Sequence, residues 1–251
     1  LIEKAFPSKG LKYPKGVEKQ PFMTFAEVAR RVQKATLAEV ADLWECVFLS
    51  LDEIDELLRA VKACDFHPSV YAMFIFAAHT GARRSEMIRS TLNDLDFDHN
   101  LITIHERKRA HDKLTTRRVP MSSVLRTTLR ALLGVHPGIS QTFWHELGPT
   151  RGHDRISPQP LDADTAHYWF KRSLKGSKWA KLRGWHVFRH SFCSNAAAGG
   201  IDQRIINGWV GHQTEEMVRR YRHLLPNQEQ AAINQLFCRG QADFQSARST
   251  A

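Results

Sequence analysis

The spacing of apolar residues changes period along this chain, and the changes predict its elements. Thr24 followed by Glu27 predicts a helix start through a capping box. Ser50 and Glu53 form a second such pair, opening a helix with Ile54, Leu57, Leu58 and Val61 on one face. The run VYAMFIFAA at 70–78 is apolar on every side, which predicts a buried helix from Ser69 to Thr80-Gly81, followed by a short helix over 84–91. The period then shortens. DLDFDHN, LITIHE and TTRRVPM predict three strands, with a turn at Asp98-His99-Asn100 and a long basic hairpin tip over 107–114. Helices return at 123–133 and 163–174, separated by a loop over 135–160 rich in Gly, Pro and His. The last third predicts helices at 186–198, 202–209, 214–222 and 227–237. Residues 1–21 are rich in Lys, Pro and Gly and read as a linker or arm, while the small polar tail over 239–251 is expected to fray. The expected fold is α+β and mainly α: one domain over 22–238, a helical bundle with a small three-stranded antiparallel sheet carrying a basic β-hairpin.

Composition narrows the partner. The 251 residues are 42% hydrophobic and 25% charged, with a formal net charge of +10. That surplus favours a polyanion, nucleic acid first and an acidic membrane surface second. No apolar run is long enough to span a bilayer, and no amphipathic basic helix with an aromatic face stands out. There is no signal-peptide pattern, and the opening at Leu1 leads us to expect a fragment of a longer protein. The four cysteines, Cys46, Cys64, Cys193 and Cys238, are scattered without a CxxC pair. This is the pattern of reduced, buried thiols in a cytosolic protein.

Four separated segments carry candidate chemistry: TGARRSE at 80–86, HERKRAHDK at 105–113, HVFRH at 186–190 and GHQTEEMVRRYRH at 211–223. Alone, each has an ordinary reading. Arg83 pairs with Glu86 as a surface i,i+3 bridge. His190, flanked by Phe188 and Phe192, is a core histidine. The HxxxH spacing of His186 and His190 lacks the glutamate of a zinc protease, because Val187 follows the first histidine. The stretch around Tyr221 reads as a solvated basic helix. Together, however, they supply arginines, a lysine, histidines and a tyrosine among cations. Such a set can break a phosphodiester without a metal: cations stabilise a pentavalent phosphorane and a phenol attacks it.

In that order the segments resemble the catalytic domain of the tyrosine recombinase, or phage integrase, family over roughly 46–237. The resemblance rests on the TG-x-R-x-x-E box, the hairpin lysine before RRVPM, the H-x-x-R-H box, the GH turn and the tyrosine nine residues beyond it. This chain departs from the family in having Val187 where Asp often follows the first histidine, and in a longer hairpin. The resemblance implies a site-specific recombinase or integrase that cuts and rejoins DNA through a 3′-phosphotyrosyl link, with no metal, nucleotide or other cofactor. Tyr221 would be the nucleophile and Lys108 the acid for the leaving 5′-oxygen, with Lys113 as the alternative. His186 would assist proton transfer, and Arg83, Arg189 and His212 would hold nonbridging oxygens. Glu86 and His190 would support these groups from behind. Arg84, Arg107, Arg109, Lys113, Arg117, Arg219, Arg220 and Arg222 would contact the DNA backbone. The implied partner is double-stranded DNA, bound by a homo-tetramer of chains that are monomers when free, with no membrane involved and a cytoplasmic, nucleoid-associated location. Residues 1–21 would be the linker from an upstream core-binding domain missing from this fragment. Residues 227–237 would dock on a neighbouring copy or on their own core. Two further readings stay open: a DNA-binding protein of this fold without activity, and a nicking-closing enzyme like a type IB topoisomerase.

Overall fold

The computed structural model describes residues 20–64, 66–107, 114–147, 157–211, 214–222 and 233. A two-residue strand β1 (Met23–Thr24) leads into helices α1 (Phe25–Val32) and α2 (Leu37–Glu45), and β2 (Val47–Phe48) then runs parallel to β1. The helix expected from Thr24 is therefore short. Thr24 Oγ1 accepts from the Glu27 amide at 3.3 Å, but the Glu27 carboxylate turns to Arg31 at 2.8 Å, so only half of the expected box forms. A box the sequence reading passed over opens α2, where Glu39 accepts from the Thr36 amide at 2.8 Å.

At the start of α3 (Leu51–Cys64) the expected box is complete, with Ser50 N to Glu53 at 2.9 Å and Glu53 N to Ser50 Oγ at 3.2 Å. Ile54, Leu57, Leu58 and Val61 are its buried face. Helix α4 (Pro68–Thr80) begins one residue before the expected start, with Pro68 in its first turn and His67 capping the Ser69 amide. It is buried along nearly its whole surface and packs against α3, α6 (Ser123–Leu133) and α8 (His186–Ala198). A helix without a polar face is stable only in such surroundings. Phe74 at its centre meets the rings of Phe170, Trp185 and Phe188 at centroid distances of 5.6, 4.6 and 5.6 Å.

Gly81 ends α4 at φ +62°, a left-handed cap that favours glycine. The chain turns at once into α5 (Arg84–Arg89) and then, through a 3-10 turn, into the three-stranded antiparallel sheet β3 (Leu95–Asp96), β4 (Leu101–Arg107) and β5 (Leu114–Pro120). Its register pairs Ile102 with Val119, Ile104 with Arg117 and Glu106 with Thr115. After α6, the segment expected as a loop contains a hairpin, β6 (Trp144–Leu147) with β7 (Ser157–Pro160). Two prolines in SPQP hide it, since proline argues against a strand except at an edge. Helices α7 (Ala163–Leu174), α8, α9 (Gln203–Val210) and α10 (Glu215–Arg222) then follow within about a residue of expectation. The expected helix over 227–237 lies outside the described residues except Ile233, which is helical and exposed. Residues 1–19 and the tail over 239–251 lie outside them too. Cys46 and Cys193 are buried thiols as expected, but Cys64 is exposed because it ends α3 at the surface. Cys238 is outside the described residues. No helix among them is long and apolar enough to cross a membrane.

Candidate active site

Arg83 is the N-cap residue of α5, placed there by the Gly81 turn. Its amide and its guanidinium both bond Glu86, at 2.8 and 2.6 Å. Glu86 is 3% exposed and also accepts from Arg117 Nη2 at 2.7 Å. Burial would raise its pKa, but the bond and charge of Arg117 and then the Arg83 amide and charge hold it below the usual carboxylate value. Glu86 therefore ties two arginines together as a buried anion.

Arg189 lies on α8, one turn from His186, and is 5% exposed. It donates to the carbonyls of Gly81 at 3.1 Å and Val210 at 2.5 Å, joining the end of α4 to the end of α9. Burial, then the charge of Arg83, lowers its pKa to about 10, which leaves it a cation at neutral pH. His186, in the first turn of α8, opens on the same cleft. Its side chain is exposed at the cleft mouth, yet desolvation by the cleft walls first, then the charges of Arg189 and Arg83, lowers its pKa to about 4. His190 is half-buried at the back of the cleft: its ring lies 5.0 Å from His186 and 4.4 Å from Phe22, and desolvation with the nearby cations lowers its pKa to about 3. The cleft has a volume of about 990 Å³. Arg83, Arg84, His167, Arg183, His186 and His190 line it, and Asp42 and Glu45 enter from α2. Arg84 reaches the Ala163 carbonyl at 3.2 Å, and Arg183 ion-pairs with Glu45.

The structure corrects three expectations. Arg117 is no surface cation; its side chain is 5% exposed and bonds Glu86, Glu106 and the Trp209 carbonyl at 2.7, 2.9 and 2.6 Å. The alternation of β5 turns it inward with Val119, and two carboxylates compensate it there. Arg220 is also buried. It donates to the Gln20 carbonyl at 2.9 Å and to Cys46 Sγ at 3.3 Å, and lies 4.0 Å from the centre of the Phe22 ring. Tyr221 does not lie on a solvated helix face. It is 1% exposed in a small apolar cluster with Phe22, Phe48, Cys193, Ile206 and Val210, and Gln203 Nε2 donates to its hydroxyl at 2.9 Å. It is also absent from the lining of the cleft.

Arg219 is exposed and faces Glu215 at 3.6 Å. Lys108, Arg109, Lys113 and His212 lie outside the described residues, and the side chains of Arg107 and Arg222 are not described. Glu106, Gln203 and Phe22 are contacts that sequence reasoning missed. Strand parity could have found Glu106, because it shares a face with Ile102 and Ile104; no sequence signal links Gln203 or Phe22 to Tyr221. Among the described residues no group of three or more His, Cys, Asp or Glu could hold a metal ion.

Comparison with known proteins gives the same family as the motifs. The profile of the phage integrase family matches residues 47–228. Tyrosine recombinase XerA of Thermococcus onnurineus is 24% identical over 190 residues, covering 74% of this chain and 62% of that protein. The integrase of Salmonella phage P22 is 27% identical over 182 residues, covering 70% of this chain and 42% of its own. The chain spans about three-fifths of the length of the XerA relatives it matches. Among solved structures, the Tn1549 transposon integrase in complex with circular intermediate DNA superposes with a TM-score of 0.57 at 16% identity, covering 83% of this chain and 82% of the other. A XerA recombinase superposes at 0.54 and 19% identity, covering 86% and 81%. At these identities the likeness shows a shared fold.

Proposed function

Because this chain belongs to the phage integrase family, we propose that it is the strand-cleaving part of a tyrosine-type site-specific DNA recombinase. The observation that carries this reading is that Arg83 and His186 line one cleft, with Glu86 bonded to Arg83 and with Arg189 buried one helical turn behind His186 on the Gly81 carbonyl. Arg83 and Arg189 hold the nonbridging oxygens of the scissile phosphate as their charge grows. Neutral His186 takes the phenolic proton of Tyr221. The Tyr221 oxygen bonds to phosphorus, the bond from phosphorus to the 5′-oxygen breaks, and Lys108 protonates that leaving oxygen. A 5′-hydroxyl from another duplex reverses the sequence and exchanges strands. His212, the residue after Gly211, joins the arginines on the phosphate. The substrate is duplex DNA, as in the Tn1549 complex, and the working assembly is a tetramer on DNA, with residues 227–237 docking on a neighbour. Neither metal nor nucleotide enters the scheme, because the phosphotyrosine conserves the broken bond.

Tyr221 starts this reaction from a buried position, so α10 must shift for its hydroxyl to enter the cleft. The same burial favours a second reading, a DNA-binding protein of this fold that does not cut. A nicked suicide duplex resolved by denaturing electrophoresis separates the two. Cleavage predicts a covalent protein–DNA band that survives EDTA and vanishes in Tyr221→Phe while DNA affinity holds. A band persisting in Tyr221→Phe rejects that residue. Absence of a band with a cognate site favours the non-cutting reading.

A further inference from the structure

Three successive residues at the end of α9 are each met by a charged side chain of the site. Arg117 holds the Trp209 carbonyl, Arg189 holds the Val210 carbonyl, and the Glu106 carboxylate presses on Gly211 where a β-carbon would stand. Gly211 has φ +80° and ψ 175°, a conformation nearly reserved for glycine, and the next residue is His212. Glu106 does more than fill this space. Its Oε1 accepts from Arg117 at 2.9 Å and Arg83 at 3.5 Å, and its Oε2 accepts from Thr115 at 3.2 Å. It therefore touches the cleft arginine and the Gly211 backbone from β4, the strand that leads to Lys108.

We propose that Glu106 is a positioning residue, which packs on the Gly211 backbone and orients Arg83 toward the nonbridging oxygens of the phosphate. This rests on the strand-cleaving reading given above. Charge supports the assignment. Glu86 and Glu106 balance Arg83 and Arg117, so the four side chains form an alternating, nearly neutral frame. Within such a frame each guanidinium has a fixed direction, whereas four like charges would splay. Glu106 makes no contact with the phosphate in this arrangement; it acts through the groups that do.

The test is single-turnover cleavage of a nicked suicide duplex, carrying either a normal scissile phosphate or a methylphosphonate, by the wild-type chain, Glu106→Ala and Glu106→Gln. A methylphosphonate lacks the nonbridging charge that Arg83 would face. On the phosphate substrate, Glu106→Ala is expected to form adduct about 10–100-fold more slowly, the range typical of losing a group that orients an active-site residue. On the methylphosphonate most of that deficit should disappear. Should Glu106→Ala fail to fold, Glu106→Gln keeps the side-chain shape and should show a deficit of the same kind, confined to the phosphate substrate. A deficit equal on both substrates means a merely structural role and overturns the assignment, as does no deficit in either variant. A wild-type chain that forms no adduct rejects the strand-cleaving reading itself, and the assignment falls with it.

Discussion

Replacing Arg117 by alanine sets a buried ion network against a surface DNA contact, because the two predict different outcomes. Exposed on the hairpin, Arg117 would be worth little to stability, within about 0.5 kcal/mol, and its loss would lower the salt slope of DNA binding by about one. In the structure its side chain is 5% exposed and bonds two carboxylates and a carbonyl. Removing it leaves Glu86 and Glu106 facing each other with Arg83 as their shared partner, and strips the Trp209 carbonyl of its donor. Breaking a buried pair on one side costs about 3–5 kcal/mol. At roughly 2–4 °C per kcal/mol for a domain of this size, the melting temperature should fall by about 6–20 °C. The pH dependence gives a second check. Arg117 is the first of the groups that lower the Glu86 pKa, so without it that pKa should rise. Glu86 in the wild-type chain contributes stability that is present above its unfolded pKa and lost as the pH falls through its lower folded value. In Arg117→Ala this contribution disappears, so the gap to wild type should be widest near neutrality and shrink below about pH 4, where the carboxyl is protonated. Urea titrations at pH 7 and pH 4, beside salt-dependent DNA binding, measure all of this. A stability loss under about 1 kcal/mol together with a reduced salt slope would refute the buried-network argument.

Gly211→Ala should lower the melting temperature and slow cleavage together, since the added carbon meets the Glu106 carboxylate at a φ of +80°; a neutral outcome in both assays would show that the turn relaxes freely. His186 and His190, with folded pKa values of about 4 and about 3, should remain neutral in carbon-13 NMR titrations down to about pH 5, and titration near 6.5 would contradict their desolvation. Because these values lie below the unfolded value, the unfolded chain binds more protons, so stability present above about pH 6.5 should decline as the pH falls toward 4 and 3. DNA affinity should fall with salt at a log–log slope of about −5 if on the order of six phosphates are contacted, and a flat response would mean that the charge of +10 is no DNA footprint.

Sequence patterns reported local order well and long-range contacts poorly. The face of α3 and the all-apolar α4 were legible because one period governs each, and the shared helix of His186 and Arg189 was legible from their spacing. Arg117 was misread because the basic run around it suggested a surface, although alternation with Val119 already turned it inward. Arg220 and Tyr221 were misread for a different reason: no local pattern can reveal that residues 20–22 return to cover α10. The hairpin of β6 and β7 was hidden because Pro158 and Pro160 break the usual strand signal.

The bond from Arg220 to the Gln20 carbonyl, with the return bond from the Phe22 amide to the Arg220 carbonyl, closes a loop of about two hundred residues. Closing such a loop costs entropy that neighbouring contacts do not, so the docking of α10 is expected late in folding. The polypeptide enters the domain and reaches its candidate nucleophile at one shared seam. A pull on the chain ahead of residue 20 is therefore delivered to the residue beside Tyr221 with little slack between them. In the proposed reaction the seam that joins the two ends of the domain is also the one that opens to release the tyrosine.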